Sequence, residues 1–199
     1  RATWDCAQEL ITTGKFVTFL GGEHSVSIGP IRAHYQHYQD LSVLQIDAHA
    51  DLRPAYLGSP YNHACAMYDA SRHCNLVQAG IRSMDHAELE YVQPGNCFYM
   101  HEIRSDPDWM AQVVDRLTDQ VYLSLDLDAL DPSIMPATGT PEPGGFFWYE
   151  LLTFLKMVFE HREVVGFDMV ELAPIKGMHA PQFLAAKLYY KMLTYKFEL

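Results

Sequence analysis

The chain has 199 residues, 49% of them hydrophobic, and a formal net charge of -11 at pH 7. That length and composition allow a sizeable core, and residues 1–199 are expected to form a single domain. The acidic balance, with no basic run, argues against nucleic acid or an anionic membrane as the partner. No apolar stretch reaches the roughly 18 residues of a membrane-spanning helix, and no signal peptide is visible. Cys6, Cys65, Cys74 and Cys97 form no CxxC pair and read as reduced thiols, so a cytoplasmic location is expected.

In chain order, the first helix is predicted over 4–13, followed by the strand "KFVTFL" (15–20) and a helix over 25–39. The strand "SVLQID" (42–47), a helix over 62–72, the strand "LVQAGI" (76–81) and a helix over 85–92 come next. "NCFYM" (96–100) is a shorter strand segment. A helix over 106–118 carries Ser105 or Asp106 as its cap and Pro107 in its first turn. The strand "VYLSLD" (121–126), a helix over 147–161, the strand "VVGFDMVEL" (164–172) and a helix over 180–195 complete the chain. The strands are rich in β-branched and aromatic residues and bounded by turn formers. Alternation of such strands with helices implies an α/β fold: a three-layer α-β-α architecture around a mainly parallel sheet. In open sheets of this kind, ligands bind beyond the carboxyl ends of the strands.

Those ends carry the chemistry. "GGEHS" with His24 follows the first strand, Asp47, His49 and Asp51 follow the second, Asp126 and Asp128 end "VYLSLDLD", and Glu171 follows "VVGFDMV". Alternate residues of an extended segment share a face, so Asp47, His49 and Asp51 can point into one site, as can Asp126 and Asp128. Each segment alone also fits a structural reading. Asp favours caps and turns, His24 can cap a helix, and Glu171 can be a satisfied core acid. Four segments converging on one edge favour a cation site, because four clustered carboxylates repel one another without cations. Oxygen ligands with some imidazole suit a divalent ion such as Mn²⁺. Six donors exceed the needs of one ion, and two ions roughly 3.5–4 Å apart activate water as a nucleophile near neutral pH. His34, His37, His86, His101, His161 and His179 lack such partners and read as surface residues.

The blocks "GGEHS", "DAHAD" and "SLDLDALDPSIMPATGTPEPGG" resemble, in order and spacing, the signatures of the ureohydrolase family of arginases and agmatinases. The resemblance implies an arginase-like fold and two manganese ions. His24 and Asp51 would bind the first ion, His49 and Asp128 the second, and Asp47 and Asp126 would bridge them. It implies that activated water attacks a guanidinium carbon, that Glu171 pairs with the guanidinium, and that His63 of "YNHACAM" relays a proton to the departing amine. A homo-oligomer, trimer or hexamer, is implied too. Family members carry a longer segment before this block, so the chain is expected to be N-terminally truncated.

Arg53 replaces the Asn with which arginases help hold a substrate carboxylate, and "GIRS" and "GTPEPGG" look like agmatinases. Asp85 cuts the other way, matching an acid that arginases use near the substrate amino group. Agmatine is therefore the expected small-molecule guanidine, with guanidinobutyrate and arginine as rivals. A deacetylase of related fold would use one zinc and lack the "GGEHS" ligand. A non-catalytic relative would usually lose a ligand, whereas all six candidates are present.

Overall fold

The computed structural model describes residues 2–199. Six strands, Val17–Leu20 (β1), Ser42–Ile46 (β2), Asn75–Ile81 (β3), Cys97–Tyr99 (β4), Gln120–Asp126 (β5) and Glu163–Val170 (β6), form one sheet in the order β1-β6-β5-β2-β3-β4. Every pairing is parallel. The helices are Ala2–Ile11 (α1), Ile28–His37 (α2), Tyr68–His73 (α3), Met100–Ile103 (α4), Trp109–Arg116 (α5), Trp148–His161 (α6) and Ala180–Glu198 (α7).

Strand alternation sorts side chains onto two faces. Leu44 and Ile46 of β2, Leu123 and Leu125 of β5, and Phe167 and Met169 of β6 pack with α5, α6 and α7. Val43, Tyr122 and Val165 face the other way, against Ile31 of α2 and Met67 and Ala70 beside and within α3. α1 closes over α2 through Ala7, Ile11 and Ala33. The three-layer α-β-α reading therefore holds, with the sheet wholly parallel.

The differences lie at helix boundaries. The segment predicted over 25–39 opens as a tight 3₁₀ turn, His24–Ser27, before α2. The segment over 62–72 is broken into a 3₁₀ turn, His63–Cys65, and the short α3. Its backbone groups are drawn elsewhere: Arg53 N–H donates to Ala64 O (3.0 Å) and Met67 N–H to Asp51 O (3.0 Å). The segment over 85–92 is a 3₁₀ turn, His86–Tyr91, held by a reciprocal cap between Asp85 and Glu88. α5 begins at Trp109 rather than near Asp106, because Asp106 accepts the Asp108 N–H (2.9 Å) in a turn ahead of the helix.

His34 is a correction to the surface assignment. It is fully buried, its Nδ1 lies 2.7 Å from Pro30 O, and its ring sits 4.4 Å from that of Tyr122. Burial lowers its pKa to about 4, which keeps it neutral near pH 7. Space for the ring comes from Gly166 on β6: a Cβ there would lie 2.5 Å from His34 Nε2 and 3.0 Å from Val17 O. His37, His86, His101, His161 and His179 are exposed. Gly166→Ala is expected to destabilise the fold by about 1–3 kcal/mol through overpacking. Urea denaturation measures this, and an unchanged midpoint would show that α2 is free to shift.

Candidate metal centre

The site is built on one buried polar row. Gln78 of β3, Gln45 of β2, Ser124 of β5 and Asp168 of β6 are in cross-strand register, and each is at most 2% exposed. Gln78 Nε2 donates to Gln45 Oε1, and Gln45 Nε2 donates to Asp47 Oδ2 (2.6 Å). Ser124 Oγ donates to Asp168 Oδ1 (2.7 Å), and Tyr122 OH donates to Asp168 Oδ2 (2.8 Å). Ser124 Oγ lies 3.0 Å from His24 Nε2. This chain orients the His24 ring and leaves Nδ1 for the space above, the usual arrangement behind a metal-binding imidazole.

His24 Nδ1 is 3.0 Å from Asp51 Oδ2, 3.1 Å from Asp47 Oδ2 and 3.3 Å from Asp126 Oδ2. It is buried and, among the described residues, aligned with no hydrogen-bond partner. A buried nitrogen ringed by three carboxylate oxygens and aligned with none fits a lone pair aimed at a cation. His49 Nδ1 lies 2.9 Å from Asp128 Oδ2. Among the described residues, two sets of three donors cluster within 4.8 Å: His24, Asp47 and Asp51, and Asp47, His49 and Asp128. Asp47 belongs to both sets, and Asp126 lies beside the first.

Alternation alone does not deliver these side chains. β2 ends at Ile46, and Asp51 arrives through a left-handed turn with φ 54°. Asp128 stands on a 3₁₀ turn after β5. The acids that close the turns also face His24. Asp47 Oδ1 accepts the His49 N–H (2.7 Å) and Asp126 Oδ1 accepts the Asp128 N–H (2.8 Å), while each Oδ2 faces His24. Arg82 staples the adjoining loop to β3, donating to the carbonyls of Asp128 (2.7 Å), Glu142 (2.8 Å), Pro143 (3.1 Å) and Gly80 (3.2 Å).

Crowding sets the protonation behaviour of the bare cluster. Burial, then the Asp128 and Asp47 charges, push the Asp126 carboxyl well up. Burial and the Asp47 charge raise Asp51 to about 7, and the same two causes raise Asp128. For His49, burial opposes the charged form, but Asp128 and Asp47 prevail and lift it to about 11. For His24, too, burial is outweighed, by Asp126, Asp47 and Asp51 together. Asp47 alone is held low: burial would raise it, but His24 and His49 prevail.

The cluster floors a cleft of about 350 Å³ whose walls include Glu171, His63, Arg53, Tyr56, Asp85 and Glu88. Glu171 lies just beyond β6 at φ 66°, with its N–H on Gly22 O (2.7 Å) and its Oε1 accepting the His24 N–H (2.6 Å). Burial raises its pKa. His63 stands at the rim, about half exposed, with Nδ1 3.0 Å from Glu23 Oε1. Buried Glu88 ties the loop behind Asp51 in place, accepting from Leu52 N–H (2.8 Å) and Asp85 N–H (2.7 Å). Gln45, Gln78, Ser124, Asp168, Arg82 and Glu88 escaped the sequence reading. For the first four the signal was polar character inside otherwise apolar strands, as in "VVGFDMV", and Tyr122, Ser124 and Asp126 recur at the spacing of one strand face; Arg82 and Glu88 lie beyond the strands and carry no such signal.

Residues 2–194 match the sequence profile of the Arginase family. The chain is 41% identical over 189 residues to N(1)-aminopropylagmatine ureohydrolase of Thermus thermophilus, covering 94% of this chain and 64% of that protein. It is 38% identical over 190 residues to the protein of the same name from Synechocystis sp., covering 93% of this chain and 62% of that protein. The chain thus spans less than two thirds of the length of these relatives. The solved agmatine ureohydrolase of Thermoplasma volcanium superposes with a TM-score of 0.86 at 30% identity, over 98% of this chain and 67% of that one.

The raised groups yield a sign. Carboxyls and imidazoles whose pKa is raised by folding stabilise the fold below their ordinary values, and that stability is lost as pH rises through the raised values. Asp47 acts oppositely below about pH 4 and buried His34 up to about pH 6.5, where the raised carboxyls of Asp51, Asp126 and Asp128 outnumber it. In chelator, the thermal midpoint is therefore expected to fall as pH rises from about 5 to about 8, and added divalent cation to restore more at the upper end. A midpoint that climbs over this range in chelator would refute the account.

Proposed function

The chain belongs to the arginase family, and from that premise we propose that it hydrolyses the guanidino group of a polyamine-type cation to urea and an amine. The observation that carries the reading is His24 Nδ1, buried and unaligned among three carboxylate oxygens on the floor of a cleft. His24, Asp47 and Asp51 would hold one divalent cation and Asp47, His49 and Asp128 a second, with Asp126 serving both. The oxygen-rich donor set with imidazole suits Mn²⁺. When bound, such a pair offsets the carboxylate charge and activates water as a nucleophile near neutral pH.

The chain's own groups do the rest. A guanidinium is resonance-stabilised and a poor electrophile, so it must be oriented and its departing nitrogen protonated. Glu171, on the cleft wall, orients the planar cation by charge-assisted hydrogen bonds. His63, at the rim, donates the proton to the leaving amine.

The mouth favours a cationic tail. Arg53 is already engaged, 3.1 Å from Asp85 Oδ2, 3.8 Å from Glu88 Oε2 and 4.9 Å over the Tyr56 ring. Two carboxylates against one guanidinium leave the rim net negative, which disfavours the carboxylate tails of guanidinobutyrate and arginine. Agmatine is the primary reading. N(1)-aminopropylagmatine is the second, favoured by the names of the relatives at 38–41% identity.

Free thiols at all four cysteines fit a reducing, cytoplasmic setting. Among the described residues, no helix is long and apolar enough to cross a membrane. Phe183, Tyr190 and Phe197 project from α7 at seven-residue spacing, which supports association into the trimer or hexamer that the resemblance implies.

Urea release from the Mn²⁺-loaded chain, with a chelated control, tests the activity. Agmatine and its aminopropyl derivative should each exceed arginine and guanidinobutyrate in kcat/KM by about 10-fold or more, the worth of a charged hydrogen bond. Preference for arginine would overturn the reading of the mouth, and metal-independent urea the reading of the floor. Asp126→Asn keeps an oxygen to cap Asp128 but removes the charge, so metal content and urea release should both fall. Glu171→Gln should weaken substrate engagement with metal content intact. Loss of metal in the Glu171 variant would contradict the role given to it.

A further inference from the structure

We propose that Glu23 is a positioning residue: its carboxylate holds both the backbone and the imidazole of His63, fixing the tautomer that leaves Nε2 to serve the cleft. The inference rests on the reading of His63 as the proton donor to the departing amine. Glu23 Oε1 accepts the His63 backbone N–H at 2.6 Å and lies 3.0 Å from His63 Nδ1. Two donors of one residue thus converge on one oxygen. Because a backbone N–H only donates, that oxygen is an acceptor, and the imidazole hydrogen sits on Nδ1. Nε2 is left as the atom that takes up a proton and gives it to the substrate nitrogen.

Glu23 is itself held. Ser25 Oγ donates to its other oxygen, Oε2. Its neighbours in the chain carry further contacts: Gly22 O receives the Glu171 N–H, and the His24 N–H goes to Glu171 Oε1. The tripeptide Gly22–Glu23–His24 therefore touches each protein group assigned to the guanidinium while supplying a cation ligand from its last residue. On the far side, the His63 ring meets Tyr56 edge-on at 5.9 Å, and Asn62 Oδ1 caps the turn through Ala64 N–H (3.2 Å). An isolated ion pair at this exposure would contribute little to stability. Fixing two atoms of one residue is a geometric role, and catalysis is sensitive to geometry that stability barely registers.

The test compares Glu23→Ala, Glu23→Gln, His63→Ala and the Glu23→Ala/His63→Ala pair in the full Mn²⁺-loaded chain, with agmatine and N(1)-aminopropylagmatine as substrates. Glu23→Ala should lower kcat about 30-fold and leave KM within about twofold, part of the roughly 10²–10⁴-fold that a positioned acid contributes. Glu23→Gln, which keeps an acceptor oxygen at the same reach, should recover most of the loss. Metal content should be unchanged, and the double variant should be no slower than His63→Ala alone. Additive losses in the double variant would overturn the proposal. NMR of ¹⁵N-histidine-labelled protein gives a readout independent of turnover: His63 should carry its hydrogen on Nδ1, and Glu23→Ala should shift it toward a mixture. An Nε2–H tautomer in the unmodified chain, or an unshifted Nδ1–H in Glu23→Ala, would also overturn it. If the unmodified chain releases urea from neither substrate, the hydrolase reading falls and the NMR result alone decides the positioning.

Discussion

The constraint on which the structure depends is the burial of four carboxylates at one end of a parallel sheet. Asp47, Asp51, Asp126 and Asp128 are each at most 7% exposed. Isolated buried carboxylates cost far more than a domain's net stability unless they are neutralised, paired or bound to cations. Without cations, the cluster shares a few protons and leans on two imidazoles, which is why five of its six members have raised pKa values and Asp47 is held low. Divalent cations would replace those protons, and cation binding and folding would then be coupled through the same six side chains.

Such a cluster needs a rigid base, and the sheet register supplies one. Gln78, Gln45, Ser124 and Asp168 fall on four adjacent strands at one level, directly before the strand ends that carry the acids. Their hydrogen bonds run along the row and up to Asp47 and His24. A polar row inside a core is costly if partly satisfied and rigidifying if complete. Here it converts backbone pairing, which fixes the strands, into side-chain direction, which fixes the donors. Arg82 and Glu88 perform the matching task for the loops above, one gathering carbonyls and the other collecting N–H groups.

The sheet and its layers were legible because apolar strand runs and helical periods are local patterns. The ends of elements were less so: 62–72 read as one helix because its composition permits it, and only the contacts of Ala64 O and Met67 N–H with the 51–53 loop break it. The acids and histidines at the strand ends could be picked out because ionisable residues straight after buried strands are conspicuous. The supporting row could not be, since its unity lies in register. No sequence spacing links Gln45 to Ser124 or Ser124 to Asp168; parallel pairing does. His34 failed for the same reason: nothing beside it in the chain announces that Gly166 leaves room for its ring.

Two acids of the cleft, Asp51 and Glu171, occupy left-handed backbone conformations at φ 54° and 66°. A glycine would relax either position but would supply no carboxylate. The local cost, of order 1 kcal/mol per residue, persists only where surrounding contacts over-determine the geometry. Those contacts are present: Asp51 O holds Met67 N–H, and Glu171 is gripped by Gly22 O and the His24 N–H. Both turns follow strands of the same sheet, and both place a carboxylate in the lining of the cleft. The parallel strands bring acids to the edge, and the left-handed turns aim two of them into the cleft, Asp51 at its floor and Glu171 on its wall.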